Sequence, residues 1–167
     1  MIPQKNLCHL KALRNHLKNK NVMKAVVQRV SQASVSVNQS ITASIGTGLC
    51  VFLGIHHNDT ATHSSWMIDK LLNLRVFPDQ SGTMTYSIRD KGYGILIISQ
   101  FTLYGNCQKG RRPSFTEAAP TNIAEPIYNT FISMLSETYS PSKAGLFGAN
   151  MAINLVNDGP VTLLLER

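Results

Sequence analysis

The sequence "KAVVQRVSQASVSV", residues 24–37, alternates apolar residues with small polar ones. This alternation is typical of a β-strand with one buried face, and the many valines favour strand structure. The alternation breaks near Gln32, which predicts either two strands or one bent strand. We therefore expect the main domain to open with a sheet.

Further strands and two helices follow without a regular βαβ order. "LCVFLGI" (49–55) and "GILIISQFTLY" (94–104) are continuously apolar, as in strands buried on both faces. One helix is expected after a cap at Asp59 or Thr60, and a second over 121–138. The apolar positions expected on the inner side of the second helix are Ile123, Ile127, Phe131, Ile132 and Leu135. Hairpin-like groups of strands with only two main helices predict an α+β fold.

Near the C-terminus, "NDGPVT" (157–162) separates two apolar runs, for which strands over 150–157 and 161–166 are expected. Proline has no backbone N–H and cannot complete a strand ladder. A hairpin turn is the simplest explanation of Gly159-Pro160. The alternative is a rigid piece of main chain that is presented to another molecule.

The positive charge of the chain is concentrated in its first residues. The 167 residues carry a formal net charge of +7, from 16 Lys and Arg against 9 Asp and Glu. Residues 1–22 hold Lys5, Lys11, Arg14, Lys18 and Lys20 and no acid, so the body is nearly neutral. Any site for a polyanion must therefore be local. The length suits one domain over 23–167, preceded by a basic N-terminal extension over 1–22.

The extension is open to three interpretations. Its leucines have helical spacing and its cations surround them, which predicts a disordered or helical arm. A basic, amphipathic segment without acids is also typical of a mitochondrial presequence. The third interpretation is an upstream start codon, with the true start at Met23. No apolar run in the chain approaches the ~20 residues of a membrane span.

Cysteine usage favours a reducing, cytoplasmic location. Cys8, Cys50 and Cys107 are odd in number and widely spaced, and no CxxC pair occurs. A disulfide framework or a structural zinc site is therefore not expected.

The usual catalytic side chains are nearly absent from the body. Ser99 and Thr102 end a predicted strand, but a hydroxyl nucleophile needs a nearby base. His56, His57 and His63 lie on one loop and the start of one helix, where a solvated loop is a simpler explanation than zinc. The acids are scattered and form no dyad. If the protein is an enzyme, its chemistry must come from backbone groups, water or the substrate.

The loop "KGRRPSF" (109–115) is a candidate phosphate site. Lys109, Arg111 and Arg112 cluster beside a glycine and a proline. The loop follows "SQFTLY" directly, so a phosphate held there would lie near those polar groups. A solvated loop without a ligand is the alternative.

Three stretches taken together resemble one family. "SQFTLYG" (99–105), "KGRRPSF" (109–115) and "NDGPVT" (157–162) follow the opening "MKAVVQRVSQASVSV". Their order and spacing are similar to those of the D-aminoacyl-tRNA deacylases, or D-tyrosyl-tRNA(Tyr) deacylase family, which carry SQFT and NxGPxT signatures. The resemblance covers Met23 to Arg167. Each short match alone is weak, whereas the combination is specific.

The resemblance implies the family's own α+β fold, with mixed or antiparallel β-sheets that pack together across a homodimer. It implies a hydrolase acting on carboxylic ester bonds, which removes a D-amino acid or mischarged glycine from the 3′-terminal adenosine of tRNA. The implied partners are aminoacylated tRNA, bound through its 3′ end and acceptor stem, and a second copy of the chain. No cofactor, metal, membrane or DNA is implied.

The family's site residues map onto named positions of this sequence. Its pocket-forming SQFT strand maps to Ser99, Gln100, Phe101 and Thr102. Its NxGPxT motif, with a cis Gly-Pro bond that reaches into the partner's site, maps to Asn157, Gly159, Pro160 and Thr162. The arginine that braces this motif maps to Arg29. The expected acceptor-stem contacts are Lys109, Arg111 and Arg112. The expected apolar floor under the adenine is Phe147 and Met151, for which ordinary core is an equal alternative.

The Gly-Pro motif implies how the enzyme would select handedness. Two fixed carbonyl groups would form a wall beside the substrate α-carbon, where an L side chain clashes and a D residue or glycine places hydrogen. Selection is then mainly by exclusion. For hydrolysis, we expect help from the ribose 2′-OH, with backbone N–H groups near Phe101 and Thr102 holding the oxyanion. Thr102 as a covalent nucleophile is the lesser alternative.

Two departures from the family pattern and two rival functions stay open. Thr85 stands where family members often carry Asn, and Asn150 where they often carry His or Asp. A module that only holds the tRNA 3′ end is the non-catalytic rival. The other rival is a related deacylase with relaxed selectivity for the chirality of the amino acid. That class departs from the SQFT and NxGPxT motifs, which this chain keeps.

Overall fold

The computed structural model describes residues 23–167. The extension expected over residues 1–22 lies outside the described residues. The strands are β1 Lys24–Val37, β2 Ser40–Ile45, β3 Gly48–Gly54, β4 Phe77–Pro78, β5 Met84–Tyr86, β6 Gly94–Ser99, β7 Ser142–Ala144 and β8 Met151–Glu166. The helices are α1 Ala61–Asn73, α2 Ile88–Lys91 and α3 Thr121–Thr138, with a 3-10 helix over Phe101–Tyr104. The expected α+β class with two main helices is confirmed.

A six-stranded mixed sheet is built around β1. One edge of β1 pairs with β8 along nearly its whole length, and the other pairs first with β3 and then with β2, all antiparallel. β6 and β7 extend the sheet beyond β3 in parallel orientation. β1 is one bent strand, since its buried residues change face between Val27 and Ala33.

The two faces of this sheet belong to different apolar clusters. Alternate residues of β3 and β6, such as Val51 and Ile97, pack against α1 and α3 in the larger cluster. Their neighbours Cys50, Leu96 and Ile98 face the smaller cluster on the opposite side. β3 and β6 are therefore buried on both faces, as their continuous apolar sequences predict.

The C-terminal strand corrects the expectation of two strands joined by a turn. β8 is continuous from Met151 to Glu166, because both of its halves pair with the same strand β1. The pairing register shifts between Gln28 and Val30 and between Val30 and Gln32, opposite the Gly-Pro motif. A proline is tolerated at such an irregularity because no ladder donor is needed there. The hairpin-turn interpretation is wrong.

The end of β6 also differs from expectation. The strand stops at Ser99, and residues 101–104 form a 3-10 helix instead of continuing the strand. The reason is that the neighbouring β3 ends at Gly54, and the last ladder bond is from the Gln100 N–H to the Leu53 carbonyl, 2.8 Å. Beyond that bond the chain has no strand to pair with on this edge.

Helix α3 has the expected bounds and largely the expected inner face: Phe131 and Leu135 are buried, and Ile127 and Ile132 pack against the larger cluster. Its buried residues are Ala124, Tyr128, Phe131 and Leu135, whereas Ile123 is exposed. The Tyr128 hydroxyl lies 3.1 Å from the carbonyl oxygens of both Ile97 and Gly145, which fixes this face against the sheet. Within residues 23–167, no helix combines the length and the apolar character needed to cross a bilayer.

Candidate active site

A cleft of about 700 Å³ lies where β6 ends. One wall comes from the ends of β3 and β6, a second from the chain that leads into α3, and the floor from the segment before β8 and its start. The lining residues are Leu53, Ile55, Ser99, Gln100, Phe101, Phe115, Ala118, Ala119, Pro120, Thr121, Ala124, Phe147, Gly148, Ala149, Asn150, Met151 and Ile153. This cleft is mainly apolar; the end of β6 contributes the polar residues Ser99 and Gln100, and the other walls contribute Thr121 and Asn150.

The SQFT residues lie at the end of β6, where the strand changes into a 3-10 helix. Ser99, Gln100 and Phe101 line the cleft, and Phe101 is 57% exposed. The first N–H groups of a helix have no acceptor within it, and among residues 23–167 none is found for the N–H groups of Phe101 and Thr102. Two adjacent backbone donors are therefore available, one on the cleft-lining residue Phe101 and one on the next residue, Thr102.

Thr102 differs from its three neighbours, because it is exposed without lining the cleft. Its hydroxyl accepts a hydrogen bond from the Gln100 side-chain amide. An amide cannot remove a proton as a general base, and no His or Lys contacts the hydroxyl within the described part of the chain. This environment does not suit a covalent nucleophile.

Phe147 and Met151 both line the cleft and also pack on the core; their contact with an adenine stays a prediction. Phe147 packs on the larger apolar cluster, with its ring centroid 5.5 Å from that of Tyr128. Met151 packs on the smaller cluster at the start of β8. Each side chain is half-buried and presents its remaining surface to the cleft.

The second wall of the cleft was not predicted from the sequence. Phe115 lies edge-on to Phe101, with ring centroids 5.2 Å apart, and both rings line the opening. Residues 118–121 complete this wall, held by the Ala119 N–H bonded to the Ile55 carbonyl at 2.9 Å. The available signal was an aromatic residue at the end of the basic loop, the phenylalanine of "RPSF".

The basic loop lies between the two aromatic residues of the cleft mouth. Its base is closed by two backbone hydrogen bonds between Asn106 and Ser114, at 2.8 and 3.0 Å. Lys109, Arg111 and Arg112 are exposed and do not line the cleft. Among residues 23–167 these three cations make no ion pair, so their charge is available to an external anion.

The Gly-Pro motif is held by Arg29, which is 6% exposed. The peptide bond between Gly159 and Pro160 is cis. The Arg29 guanidinium donates from Nη2 to the Gly159 carbonyl (3.0 Å) and from Nε to the Asp158 carbonyl (3.2 Å), and its Nε pairs with the Asp158 carboxylate at 2.8 Å. Nη1 donates to the Val76 carbonyl. The guanidinium therefore fixes the backbone on both sides of Gly159.

The other two residues of the motif support the same backbone. In the amide orientation that matches its surroundings, the Asn157 side chain donates to the carbonyl oxygens of Arg29 and Val161, both at 3.2 Å. Thr162 is paired with Gln28 where the regular ladder resumes. Both residues are exposed, as are Gly159 and Pro160.

The motif does not line the cleft of its own chain. Gly159 and Pro160 lie opposite residues 28–30 of β1, whereas the cleft begins at Leu53 and Ser99, at the other end of β3 and β6. The surrounding β8 edge carries exposed apolar side chains, with Val156 at 49% and Leu164 at 60%. A rigid, exposed piece of backbone therefore lies on an apolar edge, apart from the Ser99–Phe101 wall.

The histidine loop is only partly solvated: His57 is exposed, as expected from the sequence, whereas His56 is buried. His56 is 3% exposed and its ring stacks on that of His57, with centroids 3.9 Å apart. Burial, and then the charge of His57, lower the pKa of His56, and Glu117, 3.5 Å from Nε2, opposes the shift. Within residues 23–167, no three His, Cys, Asp or Glu side chains are grouped to hold a metal ion.

Comparison with known proteins places this fold and its motifs in one family. A family model described as D-Tyr-tRNA(Tyr) deacylase matches residues 26–166. The chain belongs to this family. Two relatives, each named D-aminoacyl-tRNA deacylase, are from Petrotoga mobilis (52% identical over 145 residues) and Syntrophobacter fumaroxidans (49% over 144). Each match covers 86% of this chain and 97% of the relative.

Two solved structures share the fold of this deacylase family member. One, described as a c-Myc DNA unwinding element binding protein, has a TM-score of 0.81 and 50% identity and covers 86% of this chain and 98% of its own. The other, described as a probable eukaryotic D-amino acid tRNA deacylase, has a TM-score of 0.76 over 87% and 99%. At 18% identity this second likeness supports the fold alone. The expected family, its fold and its hydrolase class are confirmed.

Proposed function

We propose that this protein hydrolyses the ester bond between a D-amino acid and the 3′-terminal adenosine of tRNA, and that it also removes mischarged glycine. The observation that carries the proposal is the cleft at the end of β6, which is lined by Ser99, Gln100 and Phe101 within a fold of this family. Its apolar floor of Phe147 and Met151 suits a nucleobase, and its polar groups at the end of β6 suit an ester. The deacylase domain is residues 23–167, acting without a cofactor.

We further propose a homodimer in which each protomer completes the other's site. The cis Gly159-Pro160 backbone is rigidly held by Arg29 but is exposed and lies apart from its own cleft. The apolar β8 edge beside it carries Val156, Leu163 and Leu164, all at least 37% exposed. Exposed apolar strands of this kind are typical of protein interfaces. A two-fold partner would bring the motif of one chain to the cleft of the other.

In this arrangement the handedness of the substrate is selected by backbone. With the amino group and the ester anchored, the Gly159 and Pro160 carbonyl groups would lie against one side of the α-carbon. An L side chain would collide with them, whereas a D residue or glycine places only hydrogen there. The pocket then needs no contact that reads the D side chain, since rejection of the L form supplies the specificity.

Hydrolysis is proposed to use the substrate's own ribose 2′-OH to orient or activate water. The N–H groups of Phe101 and Thr102 have no acceptor in the described residues and would hold the oxyanion. Preorganised donors of this kind contribute about 3–4 kcal/mol to lowering the barrier. The hydrogen bond from Gln100 to the Thr102 hydroxyl argues against Thr102 as a covalent nucleophile.

The tRNA itself would be held outside the cleft by the basic loop. Lys109, Arg111 and Arg112 are exposed, unpaired among residues 23–167 and next to the aromatic mouth of the cleft. Phosphate contacts of this type position a nucleic acid without reading its sequence. Since charged tRNA is used in translation, we place the activity in the cytoplasm.

The deciding experiment compares D-tyrosyl, L-tyrosyl and glycyl esters of one tRNA at catalytic amounts of protein. We expect rapid release from the D and glycyl esters and slow release from the L ester. Equal rates on the two tyrosyl esters would favour the deacylase with relaxed chirality, and binding without release would favour the non-catalytic module. A terminal 2′-deoxyadenosine that is cleaved at the full rate would exclude the 2′-OH mechanism. DNA of matched length serves as the binding control.

A further inference from the structure

The backbone N–H of Met23 donates a hydrogen bond to the buried carboxylate of Asp59. The backbone nitrogen of Met23 lies 2.7 Å from Oδ1 of Asp59, and the His56 N–H donates to Oδ2 at 2.8 Å. The Asp59 side chain is fully buried. The sequence predicted Asp59 or Thr60 as a helix cap; Thr60 is the cap of α1, and the Asp59 carboxylate instead accepts from these two nitrogens.

Asp59 lacks a permanent positive partner in the described part of the chain. His63 Nδ1 lies 3.6 Å from Oδ1, but this nitrogen accepts the Thr60 N–H at 3.0 Å and so carries a lone pair rather than a proton. Lys24, one residue from Met23, pairs with Glu166 at 3.4 Å instead. Burial raises the pKa of Asp59, as expected for a carboxylate with few compensating charges. Buried carboxylates are otherwise nearly always paired with a cation.

The position of the Met23 nitrogen is set by the fold that follows it. The Met23 side chain is 0% exposed in the larger apolar cluster. Its carbonyl accepts the Arg167 N–H at 3.1 Å, and the next residue, Lys24, is paired with both Gly54 and Glu166. A chain that begins at Met23 would therefore place its terminal nitrogen at the same point, with a full positive charge.

We propose that Asp59 is a binding site for a free α-ammonium group on Met23, and that the working enzyme begins at this residue. Initiation at Met23 and hydrolysis of the Val22–Met23 peptide bond would yield the same amino group. The lengths of the relatives agree with a start near Met23. The Petrotoga mobilis and Syntrophobacter fumaroxidans proteins each align over 97% of their own length, but with only 86% of this chain. Because the Met23 side chain is part of the core, trimming beyond it would remove apolar packing.

The test compares four chains: residues 23–167 with a free amine, the same chain N-acetylated, the full 1–167 chain, and residues 23–167 with Asp59→Asn. Residues 23–167 are suitable alone because they nearly match the length of the relatives. Urea unfolding midpoints would be measured from pH 7 to pH 10. The pKa of the Met23 amine would be measured by NMR of the labelled residue.

We expect the amine pKa to lie above its ordinary range of about 7.7–8.0. A group whose pKa is raised on folding stabilises below its unfolded pKa, and this contribution is lost as pH rises through the folded value. A folded-state pKa that is higher by about one corresponds to roughly a tenfold change in the unfolding constant. The free-amine chain should therefore exceed the acetylated and full-length chains in stability near pH 7 and converge with them near pH 10. Asp59→Asn should return the amine pKa to its ordinary range.

Other groups face the same site and are common to the compared chains. They are His56, His63, Tyr104, Arg167 and the Lys24–Glu166 pair. Their titrations affect the free-amine and acetylated chains equally, so they cancel in the difference between the two urea unfolding midpoints. An amine pKa within its ordinary range, or equal midpoints of these two chains near pH 7, would overturn the proposal. So would a chain starting at Met23 that fails to fold while the full chain folds.

Discussion

Arg29 binds the carbonyl oxygen of Gly159 at 3.0 Å across 130 residues of sequence. The same guanidinium also bonds to Asp158 and Val76, so one buried side chain connects the first strand, the last strand and the segment before β4. The carbonyl that we propose as part of the chiral wall therefore has its direction fixed by a side chain from another strand.

The substitution Arg29→Lys should keep the positive charge but hold the Gly159 backbone less rigidly. An ammonium group cannot reproduce the fork of donors, and each hydrogen bond to a charged group contributes roughly 1.5–3 kcal/mol. We expect a roughly tenfold or larger loss of kcat/KM on the D ester and a smaller ratio of D to L rates. The control is Arg89→Lys, at an exposed position of α2. An unchanged ratio in Arg29→Lys would contradict the bracing role.

Replacing Gly159 by alanine tests whether the motif acts on another chain. A Cβ at Gly159 would meet only the end of the Asn157 side-chain amide, at 3.8 Å, within its own chain. The variant should therefore fold with an unchanged Tm but lose activity at least tenfold, because the methyl group enters the proposed shared site. Gly46→Ala is the matched control, since nothing lies within 4 Å of its added Cβ. Full activity of Gly159→Ala would argue against a site shared between protomers.

Neutralising the basic loop should weaken tRNA binding without changing the chemical step. For Lys109→Gln/Arg111→Gln/Arg112→Gln we expect a higher KM, nearly unchanged kcat and a shallower dependence of binding on salt concentration. Each lost phosphate contact should reduce the salt slope by about one. Lys70→Gln/Arg75→Gln/Lys91→Gln removes the same charge at residues outside the cleft lining. If both triple variants lose affinity equally, the loop has no specific role.

The Tyr128 hydroxyl should contribute to both stability and the cleft floor. It lies 3.1 Å from two buried carbonyl oxygens, those of Ile97 and Gly145, and its ring contacts Phe147. Tyr128→Phe leaves these oxygens without this donor, at a cost of about 1–2 kcal/mol in the free energy of unfolding. Urea denaturation would measure the change, with Tyr86→Phe, an exposed position, as control. A loss below about 0.3 kcal/mol would mean that the bond contributes little net stability.

Mild acid should destabilise the fold through His56. Its pKa is lowered in the folded state, first by burial and then by His57, against the opposing effect of Glu117 and Asp59. A lowered pKa means that stability is present above the unfolded value of about 6.5 and is lost as pH falls through the folded value. The urea midpoint should therefore fall between pH 7.5 and pH 5.5, and less so in His56→Gln. Identical slopes in the two proteins would exclude His56 as the titrating group.

The local pattern of the sequence determined most of the elements. The apolar run at 49–55 and the first six residues of the run at 94–104 form doubly buried strands, and the spacing over 121–138 predicted a helix with those bounds. The SQFT and NxGPxT motifs indicated the family, because they require particular residue types at fixed positions. These features depend on neighbours along the chain, which the sequence displays directly.

Contacts between segments that are distant in sequence decided the remaining features of the fold and of the site. Whether Gly159-Pro160 joins two strands or interrupts one depends on whether both flanks pair with the same partner, and here both pair with β1. The exposure of Ile123 on α3, the Phe115 wall of the cleft and the burial of His56 likewise depend on how distant segments pack. The spacing of apolar residues and the composition of a segment depend on neighbours along the chain. The features above depend instead on which surfaces come into contact when the sheet and helices pack together.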